Sequence, residues 1–256
     1  MAQTIVVTGG ESGIGRATAR FFAEAGAAVF VGDYLLRDEN REEFARLGIQ
    51  AQVCDVQQEN DFRHLIEIAI RSTGRLDVLV NNAGVGLVKQ ITEVTEDEWD
   101  QCLNTNLKGT FFGCKHAIPH MKAAGGGVII NIASNAGLLP RAHDPVYSIS
   151  KHAVVALTKS LALCHAPDRI RVNAVCPGPV GDTGMIDDEI RESVDPVITR
   201  NKLIAASPLA AAYQRMSTPE EIARAVAYLA SDAAAMVTGT CLAIDGGKSL
   251  GVPPIR

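Results

Sequence analysis

A chain of 256 residues with 47% hydrophobic and 21% charged side chains has ordinary globular composition and the length of one larger α/β domain. Its formal net charge of −5, with no lysine- or arginine-rich run, argues against a nucleic-acid partner, because no basic stripe is present to neutralise phosphates. No apolar stretch reaches membrane-spanning length, and the opening MAQTIVVTGG lacks the basic and long apolar segments of a signal peptide. A cytoplasmic protein with no membrane partner is expected.

The first apolar run, TIVVT at 4–8, leads into the helical GRATARFFAEAGA. AVFVGD (28–33) precedes a charged helix, and IQAQVCD (49–55) precedes another at 58–72. LDVLVNN (76–82), GVIINIAS (127–134), IRVNAVCPG (170–178) and TCLAIDGG (240–247) complete a set of seven predicted strands. Short strands alternating with helices predict βαβ units and a parallel sheet. Several strands are apolar at nearly every position, as a sheet covered on both faces requires. One segment breaks the rhythm: between Pro177 and Pro219 there is no strand but several amphipathic stretches. A structureless loop of that length is uncommon, so a helical flap over about 181–217 is expected, of the kind that covers a ligand. With no repeat and no linker, 1–256 reads as a single domain.

The six cysteines (54, 102, 114, 164, 176 and 241) form no CxxC pair and read as buried, reduced thiols. His116 and His120 stand four apart, but Pro119 lies between them and no acidic third ligand is near in sequence, so no metal is expected.

After the first strand comes TGGESGIG, with Gly9, Gly13 and Gly15 placed for a tight turn and close approach to a pyrophosphate. The helix beginning near Gly13 offers free amides and the positive end of its dipole. Gly9, Ser12, Gly13, Ile14 and Gly15 are therefore the candidate phosphate cradle. Its spacing is TGxxxGxG rather than GxGxxG. Asp33 ends the second strand, 18 residues beyond Gly15, where an acidic side chain accepts hydrogen bonds from an adenosine ribose. A carboxylate there repels a 2′-phosphate, and Glu11 adds a second negative charge. Arg37, the basic residue nearby, comes four positions too late to clamp a phosphate. NAD is expected over NADP.

Tyr147 and Lys151, in DPVYSISKHAV, are spaced to share one helix face. Taken alone the pair reads as an ordinary half-exposed helix surface, since tyrosine and lysine recur at this spacing by chance. Its context changes that reading. TGGESGIG, CDV at 54–56, NNAG at 81–84, NTNLKG at 104–109, NIAS at 131–134, YSISK at 147–151, NAVCPGPV at 173–180 and IDGG at 244–247 stand in order. With these pieces the chain resembles the classical short-chain dehydrogenase/reductases over essentially its whole length. The resemblance implies a Rossmann-like, doubly wound parallel sheet of seven strands. It implies that Asp55 and Val56 hold the adenine, that Asn82, Ala83 and Gly84 pass close to the cofactor, and that Pro177, Gly178, Val180 and Thr183 contact the nicotinamide end.

The resemblance assigns proton transfer to Tyr147 as general acid/base, with hydride passing between nicotinamide and a carbinol carbon. A free tyrosine with a pKa of about 10 is a poor base at neutral pH. Lys151, one turn along, is expected to favour the phenolate and to bind the nicotinamide ribose. Lowering the pKa by two units takes about 2.7 kcal/mol, within reach of a close cation in a desolvated site. By the same resemblance Ser134 polarises the substrate oxygen and Asn106 anchors a water in a proton relay. Asn135, Arg141, His143 and Met185 are the candidate substrate contacts, with Val85, Gly86 and Ile186 adding an apolar wall. A small, partly polar secondary alcohol or its ketone is the expected partner. The apolar helices GTFFGCKHAIPHM and HAVVALTKSLALCHA suggest a homodimer or homotetramer, against the alternative of a wide buried stripe inside a monomer. Two rival readings are a 3-oxoacyl carrier-protein reductase, disfavoured by Asp33 and Glu11, and a non-catalytic NAD-sensing protein on the same fold.

Overall fold

The computed structural model describes residues 2–251. Seven strands form one sheet: β1 (Thr4–Thr8), β2 (Ala28–Asp33), β3 (Gln50–Val53), β4 (Val78–Asn81), β5 (Gly127–Ile132), β6 (Ile170–Pro177) and β7 (Cys241–Ile244). Every pairing is parallel and the order is β3-β2-β1-β4-β5-β6-β7. The chain winds outward in one direction from β1 and in the other from β4. That reversal opens a crevice at the carboxyl ends of these two strands.

The helices are α1 (Gly13–Glu24), α2 (Asp38–Leu47), α3 (Glu59–Thr73), α4 (Glu96–Leu103), α5 (Gly109–Ala123), α6 (Pro145–His165), α7 (Gly184–Arg191), α8 (Pro196–Ala205), α9 (Pro208–Tyr213) and α10 (Pro219–Ala230). Two apolar layers result. On one face Phe22 of α1, Phe44 of α2 and Ile222 and Leu229 of α10 pack on Ile5, Val7, Val29 and Val31. On the other, Phe62, Leu65 and Ile66 of α3 and Ala117 and Met121 of α5 cover Val6, Phe30, Leu79 and Ile129. Alternate residues of β1 thus feed opposite layers, which is why TIVVT has no polar interruption. All five of its residues are buried.

Local signals set the helix ends. Thr95 and Thr218 each form a reciprocal capping box with a glutamate three residues on, starting α4 and α10. Gly48 and Gly74 close α2 and α3 in the left-handed conformation, at φ +68 and +82. At the sheet centre Asn81 donates to Asn131 at 2.8 Å, and Asn131 donates to Thr158 of α6 at 2.9 Å. This buried polar ladder ties β4, β5 and α6 in one register and so fixes where α6 presents its side chains.

The 177–219 segment contains α7, α8 and α9, joined by short turns. Beyond the end of β6, the isolated β-bridge found among the described residues is the parallel one of Val180 to Ser217, beside which Gly181 N–H donates to the Ser217 carbonyl at 2.9 Å. The cysteine reading needs correction. Cys54, Cys102, Cys114 and Cys176 are buried, but Cys164 is exposed and Cys241 half-buried. Cys164 lies one residue before the end of α6, on a face that the amphipathic pattern alone does not mark as outward.

Candidate active site

The predicted site residues gather at the carboxyl edge of the sheet. The glycine loop leaves β1 with Gly9 at φ +66 and turns into α1 at Gly13, φ +48. A Cβ on Gly9 would sit 2.9 Å from the Ala83 Cα, and one on Gly15 would collide with the Gly9 carbonyl. Both must therefore be glycine for the loop to pack beside the end of β4. Asn82 fastens this contact: its Nδ2 donates to the carbonyls of Thr8 and Gly9, both at 2.9 Å. The Thr8 hydroxyl accepts from the Asn82 and Ala83 N–H groups at 3.1 and 3.2 Å. Thr8 opens the glycine motif in the sequence, but its part in holding the end of β4 was not legible there.

Thr183 reaches the same loop from the other side, since a Cβ on Gly13 would lie 3.1 Å from its Cγ2. Its hydroxyl donates to the Val180 carbonyl at 2.8 Å, and Val180 itself is buried. Pro177 ends β6 and Gly178 packs against the Asp245 backbone. Ser12 is exposed and Ile14 half-buried at the start of α1.

At the end of β2, Asp33 is half-buried, accepting from the N–H of Glu11 at 3.0 Å and of Leu35 at 3.3 Å. Glu11 is buried, and its carboxylate is bonded by Asn40 and by the Arg37 backbone. The Arg37 side chain faces away, 3.6 Å from Glu39. Asp55 uses one carboxylate oxygen to accept from the Gln57 N–H at 3.0 Å, closing a turn, and Val56 is buried under Gly109.

Tyr147 and Lys151 lie on the inner face of α6, at 8% and 4% exposure, so they are not an outer helix surface. The Lys151 Nζ stands 5.7 Å from the Tyr147 ring centroid and donates to the Ile132 carbonyl at 3.1 Å. A Cβ on Gly84 would lie 3.3 Å from that Nζ and 3.1 Å from the Asn106 Oδ1, so these three residues converge. Asn106 sits in a π-helical turn, Asn104–Lys108, between α4 and α5. Its Oδ1 accepts from the Val85 N–H at 2.8 Å, and its Nδ2 donates to Ser150 of α6 at 3.0 Å. The Ser134 hydroxyl accepts from the Ala136 N–H at 3.1 Å, at the end of β5.

Burial governs the electrostatics. It raises the Tyr147 pKa above the usual phenol value; the Ser134 hydroxyl and the Arg141 charge pull it partly back, and Asp144 pushes it up again. Burial also lowers Lys151 to about 8. Desolvation thus acts on both groups and disfavours both charges, against the phenolate that Lys151 and the charge of NAD⁺ are expected to favour.

The candidate substrate contacts divide. Asn135 is buried beside Ser134, at 3.3 Å from its hydroxyl. Met185 lies over Gly86, whose Cβ would meet its Cγ at 3.1 Å. His143 is exposed. Arg141 is held at 3.0 Å by Asp144, a buried N-cap of α6. Burial raises the Asp144 pKa, opposed by Arg141, Ser148, His143 and Lys248. Lys248, half-buried just after β7, was not singled out in the sequence, because four residues beyond the last strand it reads as an ordinary solvated lysine. Burial holds its pKa below the usual lysine value, as does the Arg141 charge. Among the described residues no His, Cys, Asp and Glu side chains cluster as a metal site.

The profile of the family described as enoyl-(acyl carrier protein) reductase matches residues 9–249. The chain is 40% identical over 253 residues to 4-formylbenzenesulfonate dehydrogenase of Comamonas testosteroni, covering 97% of this chain and 98% of the relative. It is 41% identical over 252 residues to cis-4-hydroxycyclohexanecarboxylate dehydrogenase of Sinomonas cyclohexanicum, covering 94% of each. Its backbone matches ligand-free aldohexose dehydrogenase of Thermoplasma acidophilum with a TM-score of 0.89 at 33% identity, over 100% of this chain and 97% of that one. A doubly wound sheet with a glycine cradle and a serine–tyrosine–lysine group at its carboxyl edge defines a nicotinamide-dependent oxidoreductase. The chain belongs to the short-chain dehydrogenase/reductase family.

Proposed function

We propose that this protein is an NAD-dependent dehydrogenase that interconverts a small secondary alcohol and its ketone. The observation that carries the reading is that Tyr147 and Lys151, buried together on the inner face of α6, and Ser134 at the end of β5 stand at the same sheet edge as the glycine loop and Asp33. The residues fit a dinucleotide, because Gly9 and Gly15 let the loop turn tightly against Asn82 and Ala83 into α1, whose N-cap Ser12 makes no side-chain bond to the first helical amides. Asp33 keeps lone pairs for ribose hydroxyls on a carboxylate already oriented by two N–H groups. NAD, when bound, supplies the hydride acceptor and a positive charge next to the phenol.

In oxidation, Tyr147 Oη takes the hydroxyl proton of the alcohol, and in reduction it returns that proton. The Ser134 hydroxyl orients the substrate oxygen and stabilises its developing charge. Lys151 holds the nicotinamide ribose and steadies the phenolate. Asn106, fixed by Val85 and Ser150, is the polar end of a proton relay behind Lys151. The helices α7 to α9 act as a flap that brings Met185 over the pocket. Arg141 and Lys248 at the pocket's side favour a substrate that also carries an acid group. Two relatives whose substrates, by name, are a sulfonate and a carboxylate support that preference. The outer faces of α5 and α6 expose Phe111, Ile149 and Leu163 and an apolar recess between Leu103, Leu107, Phe111 and Leu157. A second copy of the chain covers them in a dimer or tetramer.

The test is to incubate the protein with NAD⁺ or NADP⁺ and a panel of polyols, hydroxy acids, steroids and cyclic alcohols, following absorbance of the reduced nicotinamide. Turnover with NAD⁺ and at least one alcohol is expected. Tight NAD⁺ binding with no turnover on any of them would favour the sensing protein instead.

A further inference from the structure

Glu11 is a buried carboxylate in a loop where most side chains would be cheaper to fold. Only 4% of it is exposed, yet no lysine or arginine side chain among the described residues pairs with it. Its Oε2 accepts from Asn40 Nδ2 at 2.6 Å and from the Arg37 N–H at 3.1 Å. The same Asn40 amide donates to the Glu11 carbonyl at 2.8 Å. Since Nδ2 faces two oxygens, the Asn40 amide cannot be flipped, and its Oδ1 is left buried without a partner among the described residues. A buried carboxylate whose anchor strands a polar atom is a poor device for stability, and an apolar pair of similar volume would serve better. The arrangement therefore points to a role other than packing.

Its position supplies one. Arg37 is the N-cap of α2 and Asn40 lies in its first turn, so the Glu11 carboxylate sits on the positive end of that helix. Such an end is a ready site for an external anion, and here the chain's own anion fills it. Through its backbone Glu11 also donates to Asp33 Oδ2 at 3.0 Å, so the filled helix end and the ribose-facing carboxylate are one connected unit.

We propose that Glu11, anchored by Asn40, is a second determinant of cofactor choice: it occupies and makes negative the helix end beside Asp33, and so excludes a 2′-phosphorylated dinucleotide. The proposal rests on the reading above in which Asp33 receives the adenosine ribose. Asn40 is a positioning residue, acting only through Glu11. The phosphate group is refused twice, by loss of the amides that would bind it and by repulsion from two carboxylates. Glu11→Gln keeps an oxygen to accept both N–H groups while removing the charge. Asn40→Ala keeps the charge and removes its anchor.

The measurement is the dissociation constant of NADH and of NADPH by calorimetry, for the wild type, Glu11→Gln, Asn40→Ala and Asp33→Ala, with circular dichroism to verify folding. In Glu11→Gln the NADPH affinity is expected to rise about tenfold while NADH changes by less than about threefold, the scale of one screened charge pair a few ångströms apart. In Asn40→Ala the NADH affinity falls severalfold, narrowing the same ratio from the other side. An unchanged NADH-to-NADPH ratio in Glu11→Gln overturns the proposal; should that variant not fold, an unchanged ratio in Asn40→Ala overturns it. Failure of the underlying ribose reading looks different. Asp33→Ala would then leave both affinities as in the wild type, whatever Glu11 does.

Discussion

Tyr147 is buried and Lys151, close beside it, is held near 8, so the chain's own environment keeps the phenol protonated at neutral pH. The proton must leave this pair before an alcohol can be oxidised. The kcat/KM for oxidation is accordingly expected to rise with pH as Tyr147 ionises, and that for ketone reduction to fall over the same range. Lys151→Met removes the cation and should move the oxidation limb to higher pH. A profile flat from pH 6 to 10 in both directions would contradict the assignment. The sequence made the identity of these residues legible through their order and spacing, but not the sign of their shifts. Desolvation depends on the Ile132, Gly84 and Asn106 neighbours that only the fold brings together. The parts of Thr8, Asn40 and Lys248 were illegible for the same reason: each acts through a partner at least 29 residues away or through burial.

Among the elements, strands were the most legible, because fully buried parallel strands leave unbroken apolar runs. Strand ends were less so: IQAQVCD is a strand only over Gln50–Val53, since Cys54 and Asp55 already turn towards α3, with Asp55 N–H donating to Asp61. The helices of the 177–219 segment were expected, though not their number or bounds, which short proline-started turns set at Pro196 and Pro208. Helix α10 gives a direct energetic test. Thr218 caps it, and Glu221 returns to the Thr218 N–H while pairing with Arg215 at 2.7 and 2.9 Å. Thr218→Ala should cost about 1 kcal/mol, or a fall of roughly 2–4 °C in Tm. These bonds lower the Glu221 pKa to about 2, led by the Arg215 hydrogen bond. A carboxylate depressed in the folded state stabilises above its unfolded pKa and loses that contribution as pH falls through the folded value. The Tm gap between wild type and Glu221→Gln is therefore expected at neutral pH and should shrink from about 4.5 towards 2, whereas a pH-independent gap would contradict it.

For the whole molecule, the doubly wound topology decides where chemistry occurs, since it turns the loops after β1, β2, β4, β5 and β6 towards one crevice. No helix among the described residues is long and apolar enough to cross a membrane. The outer faces of α5 and α6 carry exposed apolar side chains, with Leu163 82% exposed. That the apolar excess on these helices was outward rather than a wide inner stripe could be read only once the sheet had claimed their other faces. Light scattering should give the mass of a dimer or tetramer, and Phe111→Asp with Leu163→Asp should reduce it; a wild-type monomer would contradict the assembly.

The central claim is that Tyr147 moves the proton while the glycine cradle and Asp33 hold the cofactor. It is tested most directly by comparing wild type and Tyr147→Phe on the best alcohol of the panel, with NAD⁺ affinity measured in parallel. Turnover is predicted to fall by about 10²–10⁴-fold with NAD⁺ affinity essentially unchanged. Undiminished turnover in Tyr147→Phe would contradict the account.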